Sequence, residues 1–262
     1  MCRLFGFRSN VPSAVHRQLI AEKNSLRAQS IEHKDGWGLA AYDTTGLSKI
    51  VHGLGPAHLD PRFEGTIGNL SVTTMVAHVR LASIGSIQMT NAHPFTLGEW
   101  TFVHNGTLSN YADCQAEIER QISTNYRAFI RGGTDSERCF YHFLTQLALR
   151  THSGATTLQQ VSDALNQSVS MISQITDRPS GPPSSMNFLV TDGKLMVATR
   201  RGRTLFINQT QLPIRSVSIS SEQVSGSQEW VEIPEDSLVS IDAQLSVRHS
   251  PLRLQPPIGE HP

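Results

Sequence analysis

Cys2 directly follows the first methionine, and this position allows one residue to supply both a nucleophile and a base. A side chain this small permits removal of Met1, after which Cys2 would carry a thiol and a free α-amine. The amine has an ordinary pKa of about 7.7–8.0, so near neutral pH it can accept a proton from its own thiol. Met-Cys also begins many chains by chance, so the residues that accompany Cys2 decide whether this chemistry is present.

Four downstream positions have the groups that hydrolysis of a glutamine-like amide requires: Arg80, Asn105, Gly106 and Asp135. The Arg80 guanidinium can bind a substrate α-carboxylate through two parallel hydrogen bonds, and Asp135 can bind the α-ammonium. The Asn105 amide and a backbone N–H near Gly106 can face the oxyanion that forms when a thiolate attacks. Each position also has an ordinary interpretation: a surface ion pair for Arg80, a helix cap for Asp135, and a turn for Asn105-Gly106.

The strands that must position these residues are predicted from hydrophobic patterning. An apolar run at residues 4–7 predicts a buried strand at the start of the chain, and a β-branched run at 72–79 predicts a central strand. A strand at 100–103 leads into Asn105-Gly106. Further strands are predicted at residues 187–191, 195–199, 204–207, 216–220 and 238–241.

Helices are predicted mainly between the first strands, which end at residue 103, and the later strands, which begin at residue 187. One begins at about Ser13, and another follows Asn105-Gly106, a pair interpreted as turning a strand into a helix. A third has an apolar stripe that includes Cys139, and a fourth spans residues 157–176. Because strands and helices do not alternate as βαβ units, the chain is predicted to be α+β, with stacked antiparallel sheets covered by helices.

Composition excludes several classes of function. Lysine plus arginine and aspartate plus glutamate both number 22, so no charge excess favours nucleic acid or an anionic membrane as partner. No apolar run is long enough to span a membrane, and no signal peptide is expected. Three cysteines without metal-type spacing are typical of free thiols in a reducing compartment, so a cytoplasmic location and no metal or other cofactor are expected.

Taken together, the ordered motifs resemble the class II glutamine amidotransferases, which have an N-terminal cysteine, and most closely their stand-alone, YafJ-like branch. The resemblance covers nearly the whole chain. The motifs are Met1-Cys2-Arg3-Leu4-Phe5-Gly6, His33-Lys34-Asp35-Gly36-Trp37-Gly38, Ala77-His78-Val79-Arg80, Asn91-Ala92-His93-Pro94-Phe95, His104-Asn105-Gly106, Gly133-Thr134-Asp135-Ser136-Glu137, Ser220-Ser221-Glu222 and Glu229-Trp230.

The resemblance implies an N-terminal nucleophile (Ntn) hydrolase fold, a four-layer αββα sandwich of two antiparallel sheets between helical layers. It implies a single domain over residues 2–262. Residues 250–262 contain four prolines and are expected to form a surface tail. The resemblance assigns Cys2 as nucleophile and base, and Asn105 and Gly106 as the oxyanion hole. The residues that it places around the glutamine are Arg80, Ser83, Thr107 and Asp135, with Leu81 in the pocket wall where many members have an aromatic residue.

The expected activity is hydrolysis of the glutamine side-chain amide through a thioester, with release of ammonia to an unknown acceptor. No appended synthase domain is recognised in this sequence, so the expected partners are glutamine or a γ-glutamyl small molecule and, as one option, a separate ammonia-accepting synthase. The nearest alternative is hydrolysis of a γ-glutamyl peptide or a sulfur-containing γ-glutamyl metabolite. A catalytically silent subunit is disfavoured by the intact Cys2, Asn105 and Asp135. An acylase of another Ntn family is disfavoured by the Arg80/Asp135 pair, which suits an amino-acid zwitterion.

Overall fold

The computed structural model describes residues 2–151, 154–211, 213–224 and 229–256, and within them the chain forms two antiparallel sheets. The strands are β1 (Arg3–Ala14), β2 (Trp37–Asp43), β3 (Gly46–Gly53), β4 (Ser71–Val79), β5 (Phe95–Leu97), β6 (Trp100–Thr107), β7 (Ser185–Thr191), β8 (Met196–Arg200), β9 (Phe206–Thr210), β10 (Ser216–Ser220), β11 (Val231–Glu232), β12 (Ser237–Ile241) and β13 (Val247–Pro251). The first sheet has the order β11-β9-β10-β1-β4-β2-β3, and the second has the order β13-β12-β8-β7-β6-β5.

Helices cover the outer face of each sheet. They are α1 (Leu26–Gln29), α2 (Pro61–Gly68), α3 (Tyr111–Gln121), α4 (Thr124–Arg127), α5 (Asp135–Ala148) and α6 (Leu158–Thr176), with a π-helical turn at Arg17–Ala21. Helices α1 and α2 pack on the first sheet, and α3, α5 and α6 pack on the second. Within the described ranges, no helix is long and apolar enough to cross a membrane.

Three apolar clusters fill the spaces between these layers. One strand can contribute to two clusters, because its successive residues point to opposite faces of the sheet. On β1, Phe5 packs under α1 and α2, whereas Leu4 points inward and packs with Val103 of the second sheet. The third cluster joins the second sheet to its helices and includes Cys139, which is fully buried on α5 as its apolar stripe predicted. The predicted αββα sandwich of two stacked antiparallel sheets is therefore confirmed.

The helix predicted to begin at Ser13 is wrong at that position, because β1 continues through Ala14. Ser13 and Ala14 pair with Val72 and Ser71 of β4, after an irregularity in the register beyond Arg8. Pairing with a neighbouring strand satisfies the backbone groups that a helix would otherwise have bonded within itself. The helical turns come later, at Arg17–Ala21 and in α1.

The predicted turn at Asn105-Gly106 is also wrong, because both residues lie within β6. They pair with Asn187 and Met186 of β7, about eighty residues further along the chain. The chain turns toward α3 only later, at Asn110, which adopts the left-handed conformation with φ 53°. The local Asn-Gly signal was outweighed by a long-range strand pairing that the sequence does not reveal.

Residues 250–256 of the expected surface tail are among the described residues. Ser250 and Pro251 are the end of β13, where they pair with Leu238 and Ser237 of β12, and Leu252 is buried. Residues 257–262 of the predicted tail lie outside the described residues.

Two buried histidines are expected to make the fold sensitive to acid. Burial lowers the pKa of His78 to about 3 and that of His142 to about 4, below the ordinary 6.5. Because both are neutral in the folded chain, their stabilising effect is complete above pH 6.5 and is lost as the pH falls toward these values. Each should lower the free energy of unfolding by about 1.4 kcal/mol per pH unit below 6.5.

Urea unfolding at pH 7, 6 and 5 would measure this loss for the wild type and for His142→Asn. The variant lacks one titrating group, so its stability should fall less steeply with pH. The exposed His249→Asn provides the matched control. An equal pH slope in His142→Asn and the wild type would contradict the expectation.

Candidate active site

Cys2 lies immediately before β1, at the end of the sandwich where β4 ends. Pairing of Arg3 with Val79 places Cys2 beside Arg80, the residue that follows β4. Cys2 is half-buried, and its thiol donates to the carbonyl oxygen of Leu81, with 3.6 Å between Sγ and O. The nucleophile candidate is thus held at a sheet end, next to two of the predicted substrate-binding residues.

The surroundings of the Cys2 thiol favour its protonated form. Burial raises the pKa of the thiol; the hydrogen bond to Leu81 and the positive charge of Arg80 lower it, and the negative charge of Asp135 raises it. Because a thiolate is the attacking form of cysteine, a nearby base must take the proton. Arg80 and Asp135 both act on the thiol through their charges, so these three residues share one electrostatic environment.

Ser221 joins the start of β1 to Asn105 across the two sheets. Its Oγ accepts from the backbone N–H of Leu4 at 2.9 Å and from Nδ2 of Asn105 at 3.1 Å. Its own backbone N–H donates to the carbonyl of Leu4 at 3.1 Å. Sequence reasoning placed Ser221 in a family motif but gave it no role, because its partner Leu4 is 217 residues away.

Asn105 and Gly106 lie near the end of β6, and their surroundings suit a pair of hydrogen-bond donors. The Asn105 amide group has two hydrogens, of which Ser221 takes one, so the other remains available to a ligand. Asn105 is buried, and its Oδ1 has no hydrogen-bond partner among the described groups. A Cβ at Gly106 would collide with the Ser185 carbonyl and the His104 ring, so only glycine fits there.

Arg80 is buried and holds the loop that follows β4. Its backbone N–H donates to the carbonyl of Gly36 at 2.7 Å. Its guanidinium donates to the carbonyl of Ser86 at 3.1 Å from Nη1, and to those of Ile84 and Gly85 at 2.9 and 3.1 Å from Nη2. Arg80 therefore does not form the surface ion pair that was its alternative interpretation. Neutral carbonyl oxygens surround its guanidinium.

Ser83 and Thr107 connect the same loop to the end of β6. The Thr107 hydroxyl donates to the carbonyl of Gly106 at 2.8 Å, which uses its only hydrogen. The Ser83 hydroxyl, 3.0 Å away, is therefore the donor to Thr107. Ser83 is exposed and Thr107 is half-buried, so both hydroxyls border solvent at the mouth of the site.

Asp135 is buried at the first turn of α5, but it is not the helix cap. Thr134 is the cap, since its side chain accepts from the backbone N–H of Glu137 at 3.2 Å. The Asp135 carboxylate accepts from the N–H groups of Leu108 at 2.9 Å and Ser136 at 2.8 Å. It thereby fixes the segment after β6 against the helix, and the positive end of the helix dipole stabilises its charge.

The predicted site residues thus lie around one end of the sandwich, where β1 begins and β4 and β6 end. Hydrogen bonds connect Cys2 to Leu81, Ser83 to Thr107, and Asn105 through Ser221 to the start of β1. Among the residues that the structure describes, no three His, Cys, Asp or Glu side chains are grouped so that they could hold a metal ion. The arrangement can supply a thiol, an amide donor and two opposite charges.

Comparison with known proteins identifies the family of this chain. The sequence profile described as "Glutamine amidotransferases class-II" matches residues 1–249. The chain belongs to this family. This chain is 28% identical to the probable glutamine amidotransferase DUG3 of Saccharomyces cerevisiae. The match covers 226 residues, which is 76% of this chain and 63% of DUG3. The chain is 27% identical to YafJ of Escherichia coli over 217 residues, 76% of this chain and 72% of YafJ.

Two further similarities concern a more distant relative and the fold. A protein of Mycobacterium tuberculosis named gamma-glutamyl-hercynylcysteine sulfoxide hydrolase is 23% identical over 251 residues, 92% of this family member and 93% of that protein. The structure of glutamine phosphoribosylpyrophosphate amidotransferase from B. subtilis superposes with a TM-score of 0.66 and 18% identity, over 97% of this chain and 50% of that one. The amidotransferase family predicted from the motifs is confirmed, although the match spans less than two thirds of DUG3.

Proposed function

We propose that this protein hydrolyses the side-chain amide of glutamine, or the equivalent γ-amide of a γ-glutamyl compound, through a thioester on Cys2. One observation carries the proposal: the pairing of Arg3 with Val79 places Cys2 beside Arg80, and the Cys2 thiol donates to the carbonyl of Leu81, so the candidate nucleophile and the candidate carboxylate-binding group lie at one end of the same sheet. Arg80 can bind a carboxylate and Asp135 can bind an ammonium group. Next to a nucleophile, this pair suits the two charged ends of a glutamyl substrate.

The proposed reaction begins after removal of Met1, which frees the α-amine of Cys2. The amine takes the thiol proton, and the sulfur attacks the γ-carbonyl carbon, whose oxygen becomes negative. The free hydrogen on Asn105 Nδ2 and the backbone N–H at Gly106 stabilise that oxygen. The ammonium of Cys2 then protonates the leaving nitrogen, the C–N bond breaks, and water hydrolyses the thioester to release glutamate.

Substrate recognition is proposed to depend on Arg80 and Asp135. The guanidinium now donates to loop carbonyl oxygens, and a substrate α-carboxylate would replace them, because charge-assisted hydrogen bonds are stronger than neutral ones. The α-ammonium would bind Asp135, whose carboxylate is held in place by two backbone N–H groups. Leu81, Ser83 and Thr107 would border the bound glutamyl chain.

Two substrate classes fit this chemistry, because the proposed site contacts only the glutamyl half of the substrate. Glutamine is favoured by the family, and its ammonia would pass to a separate acceptor protein. A γ-glutamyl compound with a larger leaving group is favoured by the full-length similarity to the mycobacterial γ-glutamyl hydrolase.

Release of glutamate from purified, Met1-trimmed protein would test the proposal. Glutamine and γ-glutamyl-alanine are the substrates, and α-glutamyl-alanine is the matched control, since it has the same atoms with the amide at the other carboxyl group. We expect glutamate from one or both γ-compounds and none from the α-isomer. Absence of glutamate from every γ-glutamyl compound would overturn the proposed function.

The variants Arg80→Lys and Asp135→Asn are expected to weaken substrate capture more than turnover. Both residues would bind groups whose charge does not change during acyl transfer, so their loss should raise KM by roughly tenfold and lower kcat less. Steady-state kinetics on one γ-glutamyl substrate would measure the split. If Asp135→Asn left KM unchanged, Asp135 would serve only to hold the Leu108 segment.

Ser221→Ala is expected to lower kcat by roughly tenfold with little change in KM. The variant removes the acceptor that orients Asn105 and contacts the Leu4 N–H, and a hydrogen bond of this kind contributes about 0.5–1.5 kcal/mol. Ser220→Ala, at an equally buried neighbour on β10, is the control. An unchanged kcat in Ser221→Ala, or an equal loss in Ser220→Ala, would refute this positioning role.

A further inference from the structure

His104 is a buried residue of β6, immediately before Asn105. It points away from the space between the sheets, because side chains alternate along a strand and its neighbour Val103 packs between the sheets. Its ring meets helix α5, where Nδ1 lies 2.9 Å from the hydroxyl oxygen of Ser136. His104 and Asn105 therefore lie on opposite faces of the same strand.

The contacts of the His104 ring define which of its nitrogens carries a hydrogen. Nε2 lies 2.9 Å from the carbonyl oxygen of Ser185, which can only accept, so Nε2 must be the donor. Burial lowers the pKa of His104 below its usual value, although Asp135 and the Ser185 carbonyl act in the opposite direction, so the ring is neutral at pH 7. A neutral ring has one N–H hydrogen, so Nδ1 is an acceptor and takes the hydrogen of the Ser136 hydroxyl.

The Ser136 hydroxyl has a second acceptor within reach. Its oxygen lies 3.3 Å from Oδ1 of Asp135, compared with 2.9 Å from Nδ1 of His104. A hydroxyl group has one hydrogen, so it can serve His104 or Asp135 but not both. By accepting this hydrogen, His104 keeps it away from the carboxylate.

The Asp135 carboxylate needs this arrangement in order to keep room for a cation. The backbone N–H of Leu108 occupies one lone pair on Oδ2, and that of Ser136 occupies one on Oδ1. One lone-pair position remains on each oxygen, and a hydrogen from the Ser136 hydroxyl would fill the position on Oδ1. A carboxylate that already accepts three hydrogen bonds has fewer positions for the charge-assisted hydrogen bonds of an ammonium group.

We propose that His104 is a positioning residue for substrate capture: it accepts the Ser136 hydrogen and thereby leaves Oδ1 of Asp135 free for the α-ammonium of the substrate. This assignment rests on the proposed function, in which Asp135 binds that ammonium. The ammonium keeps its charge throughout acyl transfer, so loss of the His104 acceptor should affect KM more than kcat.

Two replacements of His104 separate its two hydrogen bonds. His104→Gln can place an amide N–H near the Nε2 position and keep the bond to Ser185, but it has no acceptor near the Nδ1 position. His104→Asn can place its Oδ1 near the Nδ1 position and still accept from Ser136. We expect KM for a γ-glutamyl substrate to rise roughly five- to tenfold in His104→Gln, with kcat changed by less than about twofold, and KM to rise by no more than about twofold in His104→Asn.

Removal of the Ser136 hydroxyl tests whether His104 acts through it. In the double variant of His104→Gln and Ser136→Ala no hydroxyl hydrogen can reach Asp135, so KM should return to within about twofold of that of Ser136→Ala alone. His142→Gln is the matched control, because His142 is also fully buried and its Nδ1 lies 3.1 Å from the hydroxyl oxygen of Ser168, on the α6 side of α5. We expect KM to be unchanged in His142→Gln. A KM that stays high in the double variant would overturn the proposed route.

Nitrogen NMR of histidine-labelled protein tests the hydrogen-bond assignment without any turnover. The His104 ring signals, identified by their loss in His104→Asn, should show a neutral ring with its hydrogen on Nε2, and Ser136→Ala should shift the Nδ1 signal. A hydrogen on Nδ1, or equal KM in His104→Gln and the wild type while hydrolysis persists, overturns the positioning role and leaves the proposed function standing. If no γ-glutamyl compound is hydrolysed, the proposed function fails, and the role in substrate capture fails with it.

Discussion

Cys2→Ala is expected to abolish hydrolysis of γ-glutamyl amides, with a loss of roughly 10,000-fold or more in kcat. The substitution removes the atom that forms the covalent intermediate, so no thioester can form, and the remaining groups cannot replace a nucleophile. Glutamate release, followed long enough to quantify slow turnover, would measure the loss. The fold should survive, because Cys2 is half-buried and lies before β1, not within its paired residues.

Cys114→Ala is the matched control for this variant. Cys114 is a free cysteine like Cys2, but it is buried on α3, where its thiol donates to the carbonyl of Ile175 at 3.2 Å. We expect nearly normal activity after its replacement and only a small loss of stability. Appreciable turnover by Cys2→Ala, or an equal loss in Cys114→Ala, would contradict the assignment of Cys2 as the nucleophile.

Asn105→Ala is expected to lower kcat by about 100- to 1,000-fold while KM changes little. The negative charge that the amide hydrogen meets exists only after sulfur attack, so its loss affects the transition state and not the bound substrate. Steady-state kinetics, combined with urea unfolding to check stability, would separate chemistry from folding. A large rise in KM with unchanged kcat would instead assign Asn105 to substrate binding.

Much of the fold could be predicted from the sequence where a signal is local and strong. The apolar run at residues 4–7 correctly indicated a buried strand, and the stripe containing Cys139 correctly indicated the core face of α5. The helix expected at Ser13 failed because the far end of β1 is stabilised by pairing with β4, almost sixty residues away. A polar, proline-containing stretch gives no local sign of such pairing.

The candidate site could also be predicted only in part. Residue types and their order suggested Cys2, Arg80, Asn105 and Asp135 as site residues, because each type suits one group of a glutamyl amide. The contacts that position them are long-range and could not be predicted. Ser221 reaches Asn105 across 116 residues of sequence, and Leu108 meets the Asp135 carboxylate across 27.

The central claim, that a processed Cys2 is the nucleophile, can be tested most directly by intact and peptide-level mass spectrometry of active protein. The protein would be treated with a diazoketone analogue of glutamine, which alkylates a thiolate held at a glutamyl site. We expect Met1 to be absent, one adduct to form on Cys2, and activity to fall in proportion to labelling. Full activity in a chain that retains Met1, or inactivation by an adduct on Cys114 or Cys139, would contradict the claim.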